Sequence, residues 1–217
     1  MDKIFTNYRE TFTDKKILFD MFIGVLLFIF GLVVAYYAYA YTQTYQGTIA
    51  QDIFLDNLPI VNVALLFFGG MAFMGVVAVV LSLLDPKRIP FVLISTGLFF
   101  AVRGFFLILT HLAPPNIEYY QYIQYEHHIK NVVFTLSSGT DLFFSGHVGY
   151  AFLLTLIFWY KKYLRYFFLL FSFLMAGVVI LGHLHYSIDV FSAYFIVFGI
   201  FEFAKKYFHK EYVLLFE

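Results

Sequence analysis

Residues 182–195, GHLHYSIDVFSAYF, set two histidines and a carboxylate at the edge of an otherwise apolar run. On a helix, His185 and Asp189 share one face, one turn apart. A carboxylate placed there accepts a proton from one imidazole nitrogen and leaves the other as an oriented nucleophile or base. The same pair also reads as a satisfied polar contact capping a helix, and spacing alone leaves both readings open. A second cluster lies in DLFFSGHVGYAF, residues 141–152. Ser145 stands where a helix N-cap would fall, and the N–H groups and dipole of such a terminus, here at Gly146, favour an anion. A phosphate held there would meet His147. A serine cap followed by a glycine packing contact is the plainer alternative. The third element is Arg103, in RGFFLILTHL. It lies roughly 13 Å along a helix from Leu112, too deep for easy snorkelling. A buried Arg at that depth expects an anionic ligand or a carboxylate partner, with Asp189 and Asp141 as candidates.

These groups need a scaffold, and composition defines it. Of 217 residues, 62% are hydrophobic and 13% charged, with mean hydropathy +0.81. Soluble domains carry about twice that share of charge. The 31 Phe and 18 Tyr suit a lipid face and interfacial belts. The formal net charge of zero gives no reason to expect a nucleic-acid partner. The absence of cysteine removes disulfides, thiol catalysis and Cys metal sites. One acid and scattered histidines lack the tight spacing of a metal site, so no metal and no cofactor are expected.

Six apolar runs, 17–41, 60–84, 91–112, 146–160, 164–182 and 187–204, predict an all-α bundle of six transmembrane helices. The fourth is short by itself. The chain reads as a single membrane domain: a cytoplasmic segment 1–16, a core 17–204 and a cytoplasmic segment 205–217. The first run is too long for a signal-peptide core and is expected to remain in the mature protein. All but two of the 14 Lys and Arg fall before span one, between spans two and three, between four and five, or after six. The exceptions are Lys130 and Arg103. By the positive-inside rule both termini are cytoplasmic. The outer ends of spans three, four and six, which carry Arg103, His147 and the His185–Asp189 pair, then face the periplasm, exterior or lumen together.

At these residues the chain resembles the sphingomyelin synthases, within the type 2 phosphatidic acid phosphatase superfamily. QDIFLDNLPIV (51–61) is similar to the family's PDxxFDxxP stretch through Asp52, Asp56 and Pro59, with Gln51 replacing the first Pro. Arg103, Thr110 and Leu112 match RxxxxxxTxLP, with Pro114 one residue late. DLFFSGH (141–147) is similar to DYxFSGH, and HYSIDVFSAYF (185–195) to HYTIDVxxAYY. The phosphatase branch carries a Lys–Arg-Pro motif and a Ser-Arg pair ahead of its second His; Val178 and Val179 stand at the latter place here.

The resemblance implies a metal-independent lipid phosphotransferase. It would move a phosphoalcohol head group from a phospholipid donor to a lipid alcohol acceptor, ceramide or diacylglycerol. His185 would attack phosphorus, oriented by Asp189. His147 would protonate the leaving diacylglycerol and then deprotonate the incoming alcohol. Ser145, Gly146, Arg103, Asp141 and Tyr186 would contact the substrate or its phosphate, Asp141 by positioning Ser145 or His147. A lipid phosphatase or phospholipase C-like hydrolase could use the same residues. A transporter or scramblase is the non-enzyme alternative, but polar groups clustered at one face speak against it.

Overall fold

The computed structural model describes residues 2–42, 44–45, 47–119 and 142–216. The described chain is helical: α1 (Asp2–Thr13), α2 (Lys15–Thr42), α3 (Ala64–Leu84), α4 (Ile89–Leu109), α5 (Gly146–Ile157), α6 (Lys162–Leu181), α7 (Ser187–Tyr207) and α8 (His209–Val213). Short 3₁₀ turns fall at Leu55–Asn57 and Pro86–Arg88. Five helices are long and apolar enough to cross a membrane: α2, α3, α4 with the turn before it, α6 and α7. The molecule is therefore an all-α, multi-pass membrane bundle. The long loop expected over 113–145 falls largely outside the described residues, and so does Asp141.

The helix ends differ from the predicted runs where local hydrogen bonding stops the helix. α3 begins at Ala64 rather than near residue 60, because Asn62 Oδ1 accepts the Ala64 N–H at 3.2 Å. α4 ends at Leu109 rather than at 112, because Leu112 leaves to form a bridge with Thr48.

α5 is the short exception. Its 12 residues span roughly 18 Å, against about 30 Å of hydrocarbon. It is buried almost all round, and Val148, Ala151, Leu153 and Leu154 are wholly inaccessible. Its C-terminal end leads into Lys161 and Lys162, which belong at a boundary. The helix is thus about 12 Å shorter than the hydrocarbon, and non-helical backbone makes up the difference. Non-helical backbone at such depth is tolerated only inside protein or beside a polar cavity. The Leu142–Ser145 approach meets that condition: Leu142, Phe144 and Ser145 are buried.

Close packing of α2 on α4 frees the rest of the bundle to surround α5. The buried stripe of α2 is Gly24, Gly31, Ala35, Ala38 and Thr42. A methyl group on Gly31 would run into the Gly97 carbonyl, and one on Gly97 into the Leu27 carbonyl. Only glycine permits this backbone approach, the usual device for helix association in lipid. α5 packs on α6 and α7, with α4 and α3 closing the other sides. Phe91, Phe99, Phe144, Phe158 and Phe168 fill the core around it.

Candidate active site

α6 ends in a Schellman turn that delivers His185. The Leu184 N–H reaches the Val179 carbonyl at 2.9 Å, and the His183 N–H reaches Ile180 at 2.9 Å. Such a turn needs a left-handed residue, usually glycine, and His183 takes that place with φ 49°. Its imidazole Nε2 lies 3.1 Å from the Leu58 carbonyl, which anchors it to the preceding loop. The two histidines of the opening motif thus part company: His183 shapes the turn, and His185 meets the carboxylate.

His185 Nδ1 lies 3.4 Å from Asp189 Oδ2, both side chains nearly inaccessible. At that distance the pair is an electrostatic contact rather than a formed hydrogen bond. The same Oδ2 accepts the Tyr186 N–H at 2.9 Å, so Asp189 also caps α7. The capping bond fixes the carboxylate that faces His185. With Nδ1 turned to Asp189, Nε2 is the nitrogen left for chemistry.

Ser145 occupies the N-cap position of α5, but its side chain makes no capping bond. Its Oγ is buried without a hydrogen-bond partner among the described residues, as is His147 Nε2. The Gly149 N–H to Ser145 carbonyl bond, 3.0 Å, opens the helical ladder. The N–H groups of Gly146, His147 and Val148 stand ahead of it, as donors a helix terminus offers to an anion. The His147 ring stacks on Phe67 with centroids 3.9 Å apart. His185 and Arg103 both lie close enough to act electrostatically on it.

Arg103 Nε donates to the Phe144 carbonyl at 3.1 Å, and its guanidinium lies against Gly146. A Cβ on Gly146 would come within 2.9 Å of Nε and 3.0 Å of Cζ. The missing side chain is what lets the cation sit beside the α5 terminus. Arg103, Ser145, Gly146, His147, His185 and Asp189 therefore converge where the ends of α4, α5 and α7 meet.

Tyr186 is 2% exposed. Its hydroxyl donates to the Ala113 carbonyl at 2.9 Å and accepts the Ala50 N–H at 3.0 Å. It thus clasps two loop segments to the start of α7.

Two contributors escaped the sequence reading. Phe67 carried no signal, being one of many Phe in an apolar run. Asp52 did carry one, through its place in the QDIFLDNLP stretch, but no role was attached to it. Its Oδ2 accepts the Ser187 N–H at 2.6 Å, and its Oδ1 accepts Phe54 and Leu55 N–H at 2.9 and 3.3 Å. Burial works to raise the Asp52 carboxyl, but these donors outweigh it and hold it below the usual carboxylate value.

Among the described residues no three His, Asp or Glu side chains gather as a metal site. The cluster itself offers two imidazoles, a carboxylate and the N–H donors of a helix terminus.

Residues 138–207 match a family model described as PAP2 superfamily C-terminal. The matched stretch takes in α5, α6 and α7, and with them His147, His185 and Asp189. No curated protein and no solved structure matches the chain.

Proposed function

We propose that the chain is a lipid phosphotransferase of the sphingomyelin synthase type, working on the extracytoplasmic face. The observation that carries this reading is the convergence of His185, in contact with Asp189, on the α5 terminus, where the Arg103 guanidinium lies against Gly146. The PAP2-superfamily match over the same helices supports it. His185 Nε2 attacks the phosphorus of a phospholipid, and the bond from phosphorus to the diacylglycerol oxygen breaks. His147 gives that oxygen its proton. In the second half His147 takes the proton of an incoming lipid alcohol, ceramide or diacylglycerol. The alcohol oxygen bonds to phosphorus, and the N–P bond breaks to release His185. Ser145, the α5 N–H groups and Arg103 hold the non-bridging oxygens as charge builds. No step calls on a metal. Asp141, outside the described residues, is proposed to position Ser145 or His147.

One Arg beside one helix terminus suits the single charge of a phosphodiester better than the double charge of a monoester. The test is to offer phosphatidylcholine and phosphatidic acid separately to purified protein, each with and without ceramide. The expected result is a new phospholipid that needs both phosphatidylcholine and acceptor. Fast phosphate release from phosphatidic acid, with no new lipid when acceptor is added, would establish hydrolysis by the same residues.

A further inference from the structure

A cavity of about 230 Å³ lies deeper in the bundle than this site, walled by four helices. Phe28 of α2, Ala78 and Val79 of α3, Leu93 and Thr96 of α4 and Tyr150 of α5 are among its lining residues. We infer that this cavity receives the terminal part of one acyl chain of the lipid whose head group occupies the His147–His185 site. The inference rests on the proposed lipid chemistry and specifies which part of the substrate the fold selects.

Three observations converge on that occupant. The first is position along the helices. Tyr150 lies one turn after His147 on α5, and Thr96 two turns before Arg103 on α4. The near wall of the cavity is thus roughly 5–10 Å below the site, and Ala78, about three turns past Phe67 on α3, is roughly 16 Å below. A chain as long as one leaflet is deep, about 15 Å, hung from the site reaches the nearer part of the cavity, while Leu83 and Ile89 line its far end. The second is size and polarity. The volume is below the roughly 300 Å³ at which pockets begin to hold whole small ligands, and the lining is overwhelmingly apolar. That suits a stretch of methylenes rather than a head group. The third is access. Val79 and Leu83 on the cavity's rim, between α2 and α3, are more than half exposed. A chain can enter sideways from the membrane.

The experiment has two arms on the intact protein. A phosphatidylcholine with a diazirine at the end of one palmitoyl chain is photolysed with wild-type protein in vesicles, and the labelled peptides are mapped. Label on the Ala78–Leu83, Leu93–Thr96 or Tyr150 peptides is expected, displaced by excess dipalmitoyl but not dioctanoyl phosphatidylcholine. The second arm compares head-group turnover of dioctanoyl, dimyristoyl and dipalmitoyl donors by wild type and Ala78→Phe. The filled cavity should lower kcat/KM for the dipalmitoyl donor about tenfold, the loss of roughly two buried methylenes, and leave the dioctanoyl donor within about twofold. Label confined to lipid-facing residues outside the cavity, or an equal loss for all three donors, overturns the inference. Absence of turnover with every donor, with label still in the cavity, would instead count against the proposed phosphotransfer.

Discussion

The backbone carbonyl of Asp189 accepts the Ser145 N–H at 3.0 Å. One residue of α7 therefore sets both halves of the site. Its side chain faces His185 and caps its own helix, while its backbone fixes the residue from which α5 starts. A shift of α7 would move the partner of His185 and the start of α5 together.

Asp189→Asn separates the two duties of that side chain. The amide oxygen still accepts the Tyr186 N–H, so the helix cap survives. The charge that orients His185 and stabilises its imidazolium is lost. Turnover should fall roughly 10³–10⁴-fold with little change in thermal stability, as in other histidine–carboxylate pairs. Equal losses of stability and activity would mean that Asp189 acts through folding alone.

Ser145→Ala removes a buried hydroxyl that has no hydrogen-bond partner among the described residues. Its loss should leave stability unchanged or slightly raised, since no hydrogen bond is broken. Activity should nevertheless drop about 10- to 100-fold if the hydroxyl meets the phosphate. Full activity in this variant, measured by lipid product formation, would restrict Ser145 to backbone packing.

Gly146→Ala places a methyl group on the Arg103 guanidinium. The cation must then move from the α5 terminus, and kcat should fall by about 100-fold, the order of losing one donor to a developing charge. Restored activity in the double variant Gly146→Ala/Arg103→Lys, whose ammonium is more compact, would support the steric account. An unaffected single variant would remove Arg103 from the phosphate.

Legibility in the sequence followed the range of the interaction. Long apolar runs announced their helices, because lipid demands about 20 apolar residues wherever a helix crosses. His185 and Asp189 could be paired from spacing, since a helix turn fixes their relation. Spacing assigns His147 and Arg103 to one end of the bundle, and only the family resemblance put them in one site; their meeting depends on the short α5 beginning at the level of Arg103. The role of His183 was hidden because Gly182, beside it, is the more usual left-handed residue, yet the turn closes one residue later. The grip of Asp52 on Ser187 spans a sequence separation of 135 residues. No local pattern encodes a contact of that kind.

Asp52→Asn tests the brace directly. The carboxyl is held below its ordinary value, so its ionised form stabilises the fold. That contribution is full above the unfolded value near 3.8 and disappears as pH falls through the lower folded value. At neutral pH the variant should lose about 1.5–3 kcal/mol, the range for hydrogen bonds to a charged acceptor. The difference from wild type should shrink below about pH 4. Unfolding curves against pH in detergent give the answer, and a constant difference down to pH 2 would contradict it.

The chain has no native cysteine, so any one introduced reports alone. Cysteines at the exposed Asp56 and Glu118 should react with impermeant maleimide from outside intact cells, and one at Lys162 should not. The opposite pattern would put the site on the cytoplasmic leaflet.

The central claim is that His185 carries the head group between two lipids. Its most direct measurement uses phosphatidylcholine labelled in the head-group phosphate, with no acceptor present, followed by acid-free denaturation and peptide mapping. The account predicts label on the peptide bearing His185, lost on adding ceramide as labelled product forms, and absent from His185→Ala. Labelled product made at the wild-type rate by His185→Ala, or label bound to a different residue, would contradict it.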